Sequence, residues 1–144
     1  MSHIHRHALL PYSDAQMFAL VNDVAAYPEY LAGCAAAIVH EQREDAMLAT
    51  LQLAKKGVRM QFTTRNVLDA PKSIVMQLED GPFDSFEGRW FFQSLRPDAC
   101  KVVLDLQFSL NNRMLAVASR TLFDSVSHSM VDAMVQRAKV IYGR

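Results

Sequence analysis

His3, His5 and His7 alternate along the start of the chain, so a strand would set three imidazoles on one face, a spacing from which they can hold a divalent cation. No acidic residue or cysteine stands nearby in sequence to complete the set, so a solvated edge strand is expected and no metal centre is assigned. Arg137 falls among the apolar positions of a helical pattern, and Arg6 shares the parity of Ile4 and Ala8. A guanidinium so placed has two readings. It snorkels or pairs with a carboxylate, or it stands at a cavity mouth and donates to a ligand's carbonyl or head group. Lys55, Lys56 and Arg59 gather at a hairpin tip, either as solvated charge or as a patch for RNA phosphates. Catalysis lacks residues to carry it. The chain has no glycine-rich phosphate loop, nucleophile elbow or zinc motif, and Glu79, Asp80, Asp84 and Glu87 cluster in a loop without converging on an interior. The expectation is a noncatalytic protein that requires no cofactor.

The element that must position these residues is an amphipathic stretch over 112–142. Advancing about 100° per residue from Leu122 gathers Leu115, Ala118, Phe123, Val126, Met130, Ala133, Met134, Val140 and Ile141 into one arc. Arg113, Arg120, Asp124, His128, Asp132 and Lys139 fall opposite. Asn111 or Asn112 is available as N-cap, and neither Gly nor Pro intervenes before Gly143, which predicts a helix of roughly 45 Å.

The rest of the chain reads as a sheet built to hold that helix. A first strand carries Ile4, Ala8 and Leu10. Ser13 or Asp14 then caps a helix with Met17, Phe18, Leu20 and Val21, and a second helical turn around Val24–Leu31 is interrupted by Pro28. Residues 35–45 form a strand whose inward face is ambiguous. From there a period of two is plain: Met47, Ala49, Leu51 and Leu53; Val58, Met60 and Phe62; Ile74, Met76 and Leu78; Phe86, Gly88, Trp90 and Phe92; Val102, Leu104, Leu106, Phe108 and Leu110. Turns are marked at Lys55-Lys56-Gly57, Ala70-Pro71-Lys72, Asp80-Gly81-Pro82-Phe83 and Arg96-Pro97-Asp98. The expected fold class is α+β, a single domain over 1–144. Its curved antiparallel sheet of about seven strands wraps the long C-terminal helix, and two short helices follow the first strand.

Composition narrows the partners. The 15 acidic and 15 basic residues balance, so no global field draws the chain to DNA or to an anionic membrane. Cys34 and Cys100 lack a Cys-x-x-Cys spacing and fit reduced thiols, no charged segment followed by an apolar run opens the chain, and no apolar run approaches a membrane span. A soluble, unexported, cytoplasmic protein is expected. Eight methionines and eight phenylalanines suit either ordinary core filling or an adaptable pocket. One helix about 10 Å wide cannot touch every inward residue of a seven-stranded sheet. The expected remainder is a cavity lined by Met60, Phe62, Met76, Leu78, Trp90, Phe92, Leu104, Phe108, Phe123, Met130 and Met134, with Arg137 or Arg6 at its mouth. Trp90 is then core or pocket wall, and an exposed Tyr30 or Phe83 would touch a membrane transiently or gate the ligand.

Particular stretches carry a resemblance: Leu10-Pro11-Tyr12, Leu20-Val21-Asn22-Asp23-Val24, Tyr27-Pro28, Gly33-Cys34, Phe62-Thr63-Thr64-Arg65-Asn66, Asp80-Gly81-Pro82-Phe83, Gly88 with Trp90, and Arg137-Ala138-Lys139 with Tyr142. In this order, over nearly the whole chain, they resemble the family of ribosome-association toxin RatA and the coenzyme Q-binding proteins. That family has the helix-grip, or START-like, fold. Ala32 stands where bacterial relatives carry proline, and the histidines at 3, 5 and 7 are outside the family pattern. The resemblance implies a cavity for ubiquinone or another isoprenoid lipid, supporting respiration. For the bacterial branch it also implies association with the large ribosomal subunit, for which the basic tip of Lys55, Lys56 and Arg59 is the best local patch on the residues' own reading. The carrier reading is the first expectation, and a toxin that inhibits translation is the alternative.

Overall fold

A computed structural model describes residues 2–143. The strands are β1 (Ser2–Leu10), β2 (Cys34–Gln42), β3 (Ala46–Lys55), β4 (Val58–Asp69), β5 (Ser73–Asp80), β6 (Phe83–Arg96) and β7 (Ala99–Leu110). Helix α1 (Asp14–Asn22) and a 3₁₀ helix (Val24–Glu29) follow β1, and α2 (Val117–Tyr142) ends the chain. Every pairing is antiparallel, in the order β1-β7-β6-β5-β4-β3-β2. β2 to β7 therefore form a meander, while β1 crosses to the far edge through the helical corner. This is the expected α+β helix-grip arrangement.

The two-residue period is realised as burial. Met47, Ala49, Leu53, Met60, Phe62, Trp90, Phe92, Val102, Leu104, Leu106 and Phe108 all turn inward and are buried. The β3–β4 tip closes on Lys56 and Gly57, both with positive φ (51° and 82°), the two-residue turn whose twist suits a hairpin. β2 was ambiguous because its register shifts between Cys34 and Ala36 and again between Val39 and Glu41. Each irregularity resets the alternation, so no single parity describes the strand. Ser13 caps α1 in a reciprocal box with Gln16, its hydroxyl accepting from the Gln16 N–H at 3.1 Å. Cys34 and Cys100 are buried and unpaired, and burial raises both thiol pKa values, that of Cys100 to about 11.

Helix α2 departs from its sequence reading in two ways. It begins at Val117, with Ala116 as an N-cap that offers no side-chain bond. Asn111 instead closes a separate turn. Its Oδ1 accepts from the Arg113 and Met114 N–H groups, and its amide donates to Asp84 at 2.9 Å. The buried stripe is also rotated in the C-terminal half. Val140 and Ile141 are exposed, whereas Ser127, Val131 and Ala138 are buried. At Val140 and Ile141 the cause is that the last turns of α2 leave the sheet and pack on the corner. The Tyr142 hydroxyl donates to the Gln16 carbonyl at 2.7 Å, and the Tyr142 ring lies 5.4 Å from that of Tyr12.

Arg6 does point inward, and it clamps the helix to the sheet edge. Its guanidinium donates to the His128 carbonyl at 2.8 Å and to the Asp132 carboxylate at 2.9 Å. The first half of α2 is held differently, by aromatic packing. Phe123 sits 5.5 Å from Phe62, 5.1 Å from Phe83 and 4.9 Å from Phe108, each ring meeting it edge to face. Phe83 is thus the first residue of β6 and buried. It is not the exposed loop residue expected from Gly81-Pro82.

Candidate functional site

Between the phenylalanine cluster and the helical corner lies an internal cavity of about 60 Å³. Of the residues expected to line it, Phe62, Met76, Trp90, Leu104, Phe123 and Met130 do. Gly88 opposite Met76 makes room for that side chain, since a Cβ there would stand 2.5 Å from the Met76 methyl. Five expected residues are elsewhere. Phe108 is buried beneath Phe123, Phe92 packs on Phe18 at 5.6 Å, and Leu78 lies beside Gly81. Met60 borders a shallow recess with Arg59 and Gln61, and Met134 accepts a contact from the Tyr30 hydroxyl at 3.0 Å. The sheet is wide enough for a longer cavity. The phenylalanines close one end and α1 with the 3₁₀ helix closes the other, which confines the space to the middle.

Arg137 stands outside that space. Its guanidinium lies 5.0 Å over the Tyr30 ring and 3.6 Å from Glu29, in a cleft between α1, the 3₁₀ helix and α2. Tyr30 is half-buried there, and burial raises its pKa although Arg137 acts in the opposite sense. Neither Arg137 nor Arg6 reaches the cavity, so a cationic head-group donor at its mouth is not what the fold provides. The cation in each case answers a local acid.

The cavity also has lining that the sequence reading missed. Val24 and Tyr27 enter from the 3₁₀ helix, Ser127 from α2, and Thr64 and Asn66 from β4. Thr64 and Asn66 continue the inward parity of Met60 and Phe62, so the period of two was the available signal, and their polarity hid it. The Thr64 hydroxyl donates to the Asn66 carboxamide oxygen at 2.9 Å, and the Ser127 hydroxyl donates to the Phe123 carbonyl at 2.8 Å. Tyr27 is the lining's titratable side chain. Burial above all, then the neighbouring Tyr30, Cys34 and Asp23, raises its pKa well beyond the ordinary value, and its hydroxyl donates to the Val21 carbonyl. Among the described residues the lining holds no carboxylate, imidazole, amine or thiol to move a proton at neutral pH. The chemistry on offer is apolar contact with a few hydrogen-bonding atoms at one wall.

At the opposite extreme of the chain's surface chemistry, Lys55, Lys56 and Arg59 are exposed at the β3–β4 tip, and none pairs with an acid among the described residues. The tip is tied to α2 by the Ser119 hydroxyl, which donates to the Arg59 carbonyl at 3.2 Å.

A model of the family described as polyketide cyclase / dehydrase and lipid transport matches residues 10–135. The chain belongs to this family. Within it, the chain is 45% identical to "Ribosome association toxin RatA" of Vibrio cholerae serotype O1 over 143 residues, covering 99% of both chains. It is 46% identical over 142 residues to the protein of the same name from Pseudomonas aeruginosa, again covering 99% of each. Among solved structures, a START superfamily protein from Mycobacterium smegmatis superimposes with a TM-score of 0.78 at 17% identity, over 96% of this chain and 98% of that one. That likeness extends the family fold to a distant sequence. No helix of the described residues is long and apolar enough to cross a membrane.

Proposed function

We propose that this protein associates with the ribosome and acts there, in the cytoplasm, as a noncatalytic binding module. The observation behind this reading is full-length identity of 45–46% to two proteins named for ribosome association. The exposed Lys55, Lys56 and Arg59, at a tight turn and without an acidic partner among the described residues, are the groups proposed to meet rRNA phosphates, the large subunit being the expected one. Noncatalytic action is supported by the cavity lining, although the family description includes cyclases and dehydrases. The test is cosedimentation with purified ribosomes at low salt. Wild type should sediment with them, and Lys55→Glu with Lys56→Glu should weaken binding at least about tenfold while steepness in salt falls. Failure of wild type to sediment would end the ribosome reading, and an unaffected double variant would remove the tip from it.

The cavity favours a second, compatible reading, that a hydrophobic ligand such as ubiquinone or another isoprenoid lipid enters between sheet and α2. The ligand-free space is smaller than the roughly 300–1,000 Å³ of ordinary small-molecule sites. It has room for only a few waters. Entry therefore requires the flexible Met76 and Met130 side chains to move aside. Met130→Trp should fill the space and abolish quinone retention in native mass spectrometry after incubation with ubiquinone, with the unfolding transition kept. Retention by this variant equal to wild type would place the ligand elsewhere.

A further inference from the structure

We propose that His3, His5 and Asp105 form a binding site for one zinc-class divalent cation on the outer face of the sheet. The third donor invisible in the sequence is supplied by strand pairing. β1 runs antiparallel to β7 in a register that sets His5 directly opposite Asp105, with His3 one pleat along on the same face. The His3 Nε2 is hydrogen-bonded to Asp105 Oδ1, and the His5 Nδ1 lies 3.8 Å from that same oxygen. One ligand atom from each residue lies within 4.8 Å of the other two. A tetrahedral ion at about 2.0–2.1 Å from its ligands holds them roughly 3.3 Å apart, so the hydrogen-bonded His3–Asp105 pair would open while the His5 nitrogen moves in, adjustments that small χ rotations of surface side chains supply. Two imidazoles and one carboxylate suit zinc, nickel or copper and not magnesium or calcium, which take oxygen ligands. Solvent completes the coordination.

The neighbouring charges favour the assignment. Arg89 faces Asp105 from β6, but its guanidinium is paired with Glu87 on its own strand, leaving the Asp105 carboxylate to the imidazoles. His7 shares the strand face of His3 and His5 yet stands opposite Val103, outside the cluster. The ion would cross-link the edge strand to its neighbour. Because Arg6 of the same strand holds α2 from the inward face, the link would fasten the edge through which the sheet grips its helix.

The experiment is calorimetric titration of zinc chloride into chelator-stripped full chain free of any affinity tag. One saturable site is expected. His3→Gln, His5→Gln and Asp105→Asn should each weaken it at least about tenfold, since even residues that only support metal ligands cost that much when changed. His7→Gln should leave it unchanged. The inference is overturned if wild type shows no saturable site, if Asp105→Asn binds as wild type does, or if His7→Gln loses as much as His3→Gln. Magnesium chloride should give no heat of binding at matched concentration, and binding as tight as zinc's would overturn the assigned class.

Discussion

Replacing Phe123 by alanine should lower the unfolding free energy by about 3–5 kcal/mol, the largest loss expected from any side chain on α2. Phe123 is 3% exposed and touches three rings that come from three different strands, Phe62 of β4, Phe83 of β6 and Phe108 of β7. Its removal therefore leaves a hole whose walls belong to a sheet and cannot collapse without bending it. Apolar transfer is lost, and the edge-to-face contacts are lost with it. The residue also lines the cavity, so the hole would join existing space and make it larger. Urea denaturation monitored by circular dichroism gives the measurement. A loss below about 1 kcal/mol would mean that the phenylalanine cluster does not anchor the first half of α2. Phe123→Leu, which keeps much of the apolar volume, should fall between the two.

Gly33→Ala should cost about 2–4 kcal/mol through two additive causes, backbone strain and overpacking. Gly33 holds a φ of +90°, and a Cβ on it would stand 2.6 Å from the Val126 Cγ2. The methyl would thus push α2 from the turn that starts β2, where the Gly33 carbonyl also accepts from the Ala54 N–H at 3.0 Å. Val126 lines the cavity, so the damage should reach the binding space as well as stability. The decisive measurement is the denaturation midpoint of Gly33→Ala beside that of Val126→Ala with Gly33→Ala. If overpacking contributes, the double variant recovers part of what Val126→Ala alone would add to the loss. Strict additivity would leave strain as the whole cause.

Much of this architecture is legible in the sequence alone. Alternation through Met60 and Phe62, or Leu104 and Leu106, marks a strand and its inward face because successive side chains leave a strand on opposite sides. Lys56-Gly57 marked a hairpin because positive φ at both positions is tolerated by few sequences. The reading weakened wherever a residue answered to something beyond its own element. Asn111 has the chemistry of an N-cap, yet its nearest N–H groups belong to a turn and its amide meets Asp84, so the helix starts later. Val140 and Ile141 fit the helical stripe, but by then α2 has left the sheet and packs on the corner with another face.

The sequence by itself determined the number and direction of the strands, the face that each strand other than β2 buries, the long C-terminal helix and the exposed basic tip. These follow from local periodicity and turn chemistry, which each segment carries within itself. Only the tertiary structure decided the extent of the cavity, the places of Arg6 and Arg137, and the meeting of Asp105 with His3 and His5. Those are relations between residues many positions apart. Periodicity reports that a side chain is buried, whereas register and packing decide what it is buried against. Asp105 shows the difference most directly: nothing near it in the chain distinguishes it from any outward acid, and one strand pairing places it beside two imidazoles.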